Sequence, residues 1–425
     1  MTSRDSAKAD RRTAILDSAI KLFGERGYVT TTAADIAYDA GTTKRTMYKY
    51  MGSKERILYE LQERLMREAE SAFSCDPDPI VQLRNFINAY AMLLLSRPED
   101  VRVLFSEMRY LSGSNRADLV RRRAQFERRL VDIVGDCLRS EGLNSRDPTI
   151  ISYAILGALN GLRNWDASPD IETARSLAGY MVELLVGGIS RLSDVPSLLT
   201  VGLRLGYEAP LWPSSGPDVR SATAERDDWD SNPVLRRLAS SGARLFCAEG
   251  FPAATTRELA ARADLTKAAV YYYIGSKEEL LYRIIQPMLF EGLQAQEVLV
   301  TSKREGQELL CELVAVHLDV LGRWVDATSV FSYDLKYLTS DHHGSIVSLV
   351  KLYMNRAEML LSRVCDGLGL DHVNVRFASL VLVGMMNDVH RWWRPDGKLK
   401  MHTVSTEFNR MFLHGLSGSV GCHDR

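Results

Sequence analysis

The sequence predicts an all-α fold in two tandem units. Apolar residues recur at helical spacing along most of the 425 residues, and no alternating apolar stretch of useful length appears. Glycine, proline, asparagine and serine punctuate the helical segments. A module near the amino end also returns, without a gap, 223 residues later.

The module centres on Thr30 to Lys54, which reads as a helix, a tight turn, a second helix and the start of a third. Thr32 suits the first helix start, because its hydroxyl can take a free backbone N–H. Ala34, Ile36, Ala37 and Ala40 give a small apolar face, and Gly41 follows where the chain needs positive φ. Thr43 can cap the next helix, from Lys44 to about Tyr50. Met47 and Met51 face inward, while Lys44, Arg45, Thr46, Tyr48 and Lys49 present donors. An apolar back and a donor-rich front, held by a preceding helix through a glycine turn, make a helix-turn-helix suited to a major groove. From this stretch alone, a helical hairpin with a solvated charged face is the alternative. The flanks add an amphipathic helix ending at Gly27, with Ile15, Leu16, Ala19, Leu22 and Phe23 inward, and a helix from Lys54 capped by Ser53.

The stretches AILDSAIKLFGERGYVTTTAADIA, AGTTKRTMY and GSKERILY together resemble the tetracycline-repressor (TetR) family of bacterial transcription regulators. The second copy, Arg244 to Ile284, resembles it too, most closely in AVYYYIGSKEELLY. Phe246 falls on Phe23, Gly250 on Gly27, Thr255 on Thr32, Lys267 on Lys44, Tyr271 on Tyr48 and Lys277 on Lys54. A fainter repeat continues at an offset of 227: Glu107, Arg109, Tyr110 and Leu111 meet Asp334, Lys336, Tyr337 and Leu338, Asn160 meets Asn387, and Trp165 meets Trp392. The resemblance implies that each half is a three-helix DNA-binding domain followed by a helical ligand-binding and dimerisation domain. The boundaries expected are 1–56 and 57–192 for the first half, 193–232 for a linker, and 233–279 and 280–418 for the second half.

Within the first body, helices are expected over Ile80–Leu95, Val101–Leu111, Arg116–Glu141, Pro148–Trp165 and Ile171–Leu192, with a break at Arg97-Pro98. In the second they fall at Gly306–Asp326, Val330–Leu338, Gly344–Asp366, Val373–Trp393 and Met401–Leu416. The linker is rich in proline, glycine and serine, with a short helix expected at Leu198–Leu205. Extended at roughly 3.3 Å per residue it reaches on the order of 100 Å.

The net charge of −1 excludes a polybasic nucleic-acid binder, so DNA contact must come from local patches. No secretion signal and no bilayer-spanning run are read. Six scattered cysteines without a CxxC pair argue against a disulfide or metal framework and suit a reducing cytoplasm. His342 and His343 read as a polar loop. There is no GxSxG, HExxH, P-loop or paired Cys/His set, so neither an enzyme nor a cofactor is expected.

In the first module, Thr43, Lys44, Arg45 and Thr46 open the helix whose amino end enters the groove in such docking. Arg45 can fork onto guanine, and Thr46 can meet a thymine methyl or a base acceptor. Tyr48, Lys49 and Lys54 suit phosphate, as do Thr31 and Thr32 with their helix-start amides. The resemblance implies backbone contact for Thr32, Tyr48 and Lys54. In the second module Gly41 becomes Asp264, which tolerates positive φ moderately well. Arg45, Thr46 and Lys49 become Ala268, Ala269 and Tyr272, while Thr255, Thr256, Arg257, Thr266, Lys267, Tyr271 and Lys277 remain as contacts. Residues 1–60 hold 11 basic and 8 acidic side chains, and residues 225–282 hold 8 and 9. The first module is thus expected to hold DNA more strongly, with the second either touching DNA or serving as structure.

For the bodies, the resemblance implies a small-molecule effector. Tyr110, Asn160 and Trp165 in the first, and Tyr337, Asn387, Arg391 and Trp392 in the second, mix aromatic faces with polar tips. They are candidate ligand contacts, or else core and interface residues. MNDVHRWWRPDG, Met386 to Gly397, looks like a segment of TetR-type repressors of lipid and steroid breakdown, whose ligands are often acyl-CoA thioesters. The first half lacks its second tryptophan and Arg-Pro, so a site confined to the second half is expected. The last two helices of each body, Pro148–Leu192 and Val373–Leu416, are expected to pair within one chain as a covalent pseudo-dimer. A homodimer of whole chains is the competing arrangement. The function implied is a ligand-responsive regulator of operator DNA, more readily a repressor, in a bacterial cytoplasm and on the nucleoid when bound. A scaffold in which only the first module binds DNA is the alternative.

Overall fold

The computed structural model describes residues 3–162, 169–188, 232–370 and 373–417, and their regular structure is entirely helical. The first half begins with α1 (Ser3–Arg26), α2 (Ala33–Asp39), α3 (Lys44–Met51) and α4 (Lys54–Ser71). Its body continues through α5 (Pro79–Ser96), α6 (Pro98–Glu107), α7 (Gly113–Ser140), α8 (Pro148–Gly161) and α9 (Ile171–Gly187). The second half repeats the order as α10 (Pro233–Glu249), α11 (Thr256–Arg262), α12 (Lys267–Ile274), α13 (Lys277–Thr301), α14 (Gly306–Arg323), α15 (Val325–Asp334), α16 (Ser340–Leu368), α17 (Val375–Asn387) and α18 (Met401–Ser417).

Local chemistry sets these helix starts. The Thr32 hydroxyl accepts the Asp35 N–H at 3.2 Å, and the Asp35 carboxylate accepts the Thr32 N–H at 2.8 Å, a closed capping box. Thr255 and Glu258 repeat it. Thr43, Ser53, Thr266 and Ser276 each accept an N–H three residues on. The turn after α2 needs a left-handed residue, and Gly41 supplies φ +60°. At the matching turn Asp264 holds φ +52°, the one positive-φ residue other than glycine among those described.

Several boundaries differ from the sequence expectation. α8 ends at Gly161 rather than Trp165, and α17 gives way to a 3-10 turn over Asp388–Arg391. α15 starts earlier, at Val325, directly after the end of α14. His342 and His343 lie in the first turn of α16, not in a loop; His342 stacks on Tyr282 and bonds Glu278 at 2.9 Å. The helix expected at Leu198–Leu205 and the linker around it fall outside the described residues.

One apolar core runs through the first half and on into the second body, and another fills the second module beneath α15 and α16. The continuity comes from α8 packed on α17 and α9 packed on α18. Twin glycines sit at both crossings. A Cβ on Gly157 would lie 3.1 Å from Met385 O, and one on its twin Gly384 would lie 3.0 Å from Gly157 O. A Cβ on Gly188 would run into the carbonyl of Met411, and one on its twin Gly415 into that of Leu184. Backbone cannot yield as a side-chain tip can. Gly415→Val is therefore expected to destabilise the chain by about 3 kcal/mol, read as a lowered denaturation midpoint. Gly179→Ala, with open space around its Cβ position, is the control that should leave the midpoint unchanged or raise it.

Candidate nucleic-acid interface

The outer face of α3 is open. Lys44, Arg45, Tyr48 and Lys49 are exposed, while Met47 and Met51 are buried beneath them. Among the described residues neither Lys44, Arg45 nor Lys49 forms an ion pair, so the three charges face solvent uncompensated. Thr46 is half-buried, with its hydroxyl 2.9 Å from that of Thr43. On α12, Lys267, Ala268, Tyr271 and Tyr272 are exposed, Tyr272 at 84%. Thr266 is exposed and its hydroxyl accepts the Ala269 N–H at 3.1 Å, and Thr256 lies with its hydroxyl 3.5 Å from that of Tyr271. Arg257 is exposed on α11.

Three expected phosphate contacts sit differently. Thr31 is fully buried, and its hydroxyl donates to Gly27 O at 2.8 Å and Leu22 O at 3.2 Å. It ties the turn after α1 and presents no hydroxyl to solvent. Its twin position holds Ala254, also buried, a signal of burial that the repeat already carried. Lys54 donates to Tyr28 O at 2.8 Å and Thr31 O at 2.9 Å, and its ammonium lies 4.2 Å from the Tyr28 ring centre. Lys277 does the same with Phe251 O and Ala254 O. Burial lowers both ammonium pKa values. Each lysine clamps the loop ahead of its α2 or α11 counterpart, leaving one of three N–H donors uncommitted.

The predicted ligand contacts separate into three groups. Tyr110 and Tyr337 line no described cavity. Tyr110 stacks on Tyr28 and reaches across the halves to Gly250; Tyr337 stacks on Phe251 and reaches Gly27. Beside them Arg109 pairs with the buried Asp334, and Lys336 with the buried Glu107. This cluster is a two-fold lock that joins the two bodies and carries each tyrosine to the opposite module, so both tyrosines sit at the interface between the halves. Asn160, Arg391 and Trp392 line a cavity of about 1150 Å³ between the halves. Asn387 lines a separate cavity of about 90 Å³ in the second body, where its Oδ1 lies 3.0 Å from His317 Nε2. Trp165 lies outside the described residues.

Burial pushes the His317 pKa down to about 4. Its folded pKa lies below the unfolded one, so the stability it contributes is present above about pH 6.5 and is lost as pH falls toward 4. We expect about 1–2 kcal/mol less stability at pH 5 than at pH 7.5 from this group. His317→Gln should flatten that slope in urea titrations at the two pH values.

Two family models match, each twice. The model described as "Bacterial regulatory proteins, tetR family" covers residues 15–61 and 238–284. The one described as "Tetracyclin repressor-like, C-terminal domain" covers 76–189 and 303–416. The chain belongs to the tetR family of bacterial regulatory proteins. It is a tandem member, with both domains present in each half. It is 24% identical over 182 residues to the HTH-type transcriptional repressor KstR2 of Rhodococcus jostii, a match spanning 42% of this chain and 89% of that protein. It is 34% identical over 58 residues to the regulator BetI of Brucella anthropi, covering 14% of this chain and 30% of that one. Among solved structures, PfmR of Thermus thermophilus is 25% identical, with a TM-score of 0.40 over 42% of this chain and 97% of that one. AibR, solved with isovaleryl coenzyme A and operator DNA, is 25% identical, with a TM-score of 0.38 over 41% of this chain and 98% of that one. Among the described residues no helix is long and apolar enough to cross a membrane.

Proposed function

We propose that this tetR-family regulator is a ligand-released repressor whose two halves pair within one chain and offer operator DNA two unlike readers. The modules are 1–56 and 233–279, and the bodies are 57–192 and 280–418. The observation that carries the reading is the contrast between the faces of α3 and α12: Arg45 and Lys49 stand free on one, Ala268 and Tyr272 on the other. Arg45 and Thr46 read bases, and Lys44, Tyr48 and Lys49 take phosphates. In the second module Thr255, Thr256, Arg257, Thr266, Lys267, Tyr271 and Tyr272 hold the backbone with little base choice. Such a pair suits an asymmetric operator. A second reading, in which only the first module binds DNA, draws on the missing arginine at Ala268.

The effector is a small, largely apolar molecule, of which acyl-CoA thioesters and steroid- or lipid-like compounds are the candidates. Support comes from the Met386–Gly397 segment and from the inter-half cavity beside it. Release works by population shift. Tyr110 and Tyr337 reach from each body to the opposite module, and the Arg109–Asp334 and Lys336–Glu107 pairs tie the two bodies together beside them. A ligand that favours another packing of the bodies changes how the two modules sit against one DNA face. A genome-wide footprint on DNA from the source organism tests the DNA reading. An asymmetric site is expected, protected more strongly over one half; a perfect palindrome protected equally would refute the unequal pair. Sedimentation at low concentration tests the pairing, and a dominant species of twice the chain mass would overturn it.

A further inference from the structure

The outer face of α12 is apolar where the same face of α3 is polar. Where α3 carries Arg45, Thr46 and Lys49, α12 carries Ala268, Ala269 and Tyr272. Ala268 and Tyr272 lie four residues apart on one exposed side, with the half-buried Ala269 beside them. Val270 and Ile274, 0% and 2% exposed, fill the opposite side. Packing does not account for the ring at Tyr272, which is 84% exposed and buries little against its own module. The ring is nevertheless held in place. It meets that of the half-buried Tyr273 edge to face, with centres 5.2 Å apart and planes at 84°.

This patch lies on the second helix of the helix-turn-helix within residues 238–284, the part that matches the tetR-family model. It therefore continues a surface that faces DNA, and the chemistry of the groove narrows what it can read. Base edges in the major groove present nitrogen and oxygen donors and acceptors, and one apolar feature, the C5 methyl of thymine. An alanine methyl forms no hydrogen bond and gains only by leaving water against another apolar group. The Tyr272 hydroxyl both donates and accepts, so it does not separate one base edge from another. The other polar groups of α12 belong to its backbone contacts. The Tyr271 hydroxyl lies 3.5 Å from that of Thr256, and the Lys267 ammonium lies 5.9 Å from the Tyr271 ring centre.

We propose that α12 reads thymine by its methyl group alone, with Ala268 and Ala269 against the methyl and the Tyr272 ring closing the side. This rests on the reading that the second module enters DNA, and it specifies the little base choice left to that module. Duplexes selected by the full chain from a random pool supply the site, and synthetic copies of it test the proposal in each half in turn. Deoxyuridine in place of thymidine removes only the methyl, and in the α12 half affinity should fall about fourfold for each methyl lost. Replacing the same T·A pairs by 5-methylcytosine·guanine keeps the methyl but swaps the O4 acceptor for an N4 donor. Affinity should then be retained, whereas unmethylated C·G should lose as much as uracil does. Ala268→Ser should erase the contrast between thymine and uracil, which also assigns that half to α12. Melting curves check that the variant folds; Tyr272→Ser, at another exposed position, stands in for it if not. A second half without thymine, equal binding of uracil and thymine there, or 5-methylcytosine bound no better than cytosine would each overturn methyl reading while leaving the second module on DNA. A selected site with no protected second half would overturn it together with the reading it rests on.

Discussion

Arg146→Ala is expected to cost about 3–5 kcal/mol and to loosen the two halves from each other. Arg146 and Glu407 come from opposite halves, and their side chains are only 6% and 7% exposed. Arg146 Nε donates to the Glu407 carboxylate at 3.1 Å, and a second nitrogen donates to Gly188 O at 2.8 Å, beside one of the glycine crossings. Without the guanidinium, Glu407 stays buried with only Arg410 at 3.5 Å. Arg146→Met combined with Glu407→Leu should recover most of the loss, because an apolar pair carries no desolvation penalty. Urea denaturation of the two variants checks both expectations; equal instability in single and double variants would contradict the argument.

The same pair bears on partner choice. The position matching Arg146 is Val373, and that matching Glu407 is Tyr180. Two first halves brought together would set each Arg146 near a tyrosine, and two second halves would set each Glu407 near a valine. Both would bury an uncompensated charge. Only unlike halves satisfy it, so the ion pair acts as much against wrong pairings as for the right one.

Much of this architecture was legible in the sequence. Helix starts announced themselves through Thr32, Thr43, Ser53 and their twins, because a capping hydroxyl acts on residues three positions away. The left-handed turn was legible at Gly41 and, through the repeat, at Asp264. At Tyr110 and Tyr337 the sequence left two readings open, ligand contact or interface. Glu107 and Arg109 recur as Asp334 and Lys336, acid then base two residues on, and that is the pattern reciprocal ion pairs across a two-fold require. Aromatic residues with polar tips drew attention to ligand binding, and the charges beside them carried the better signal. The inter-half cavity was not legible, because its residues lie as far apart as Arg123 and Arg394 and meet only once the halves pack.

Arg45→Ala is expected to lower affinity for the operator by about ten- to a hundredfold, roughly 1–3 kcal/mol, and to flatten base preference at one position. The residue stands exposed near the amino end of α3, without an ion pair to occupy it. Affinity for unrelated DNA should fall only slightly, because phosphate neutralisation rests on other residues. Lys54→Ala should behave differently from a simple phosphate contact. It removes the clamp on Tyr28 O and Thr31 O, so the module should also melt earlier. The converse substitution, Ala268→Arg, puts a guanine reader on α12 where none stands. It should shift the preferred site toward symmetry, with gained contacts over the weakly protected half. Selection of bound sequences from a random pool reads all three variants at once. Unchanged preference in Arg45→Ala would remove the base-reading role from α3. Unchanged preference in Ala268→Arg would mean that α12 does not enter a groove, leaving the second module to shape the chain rather than to read DNA.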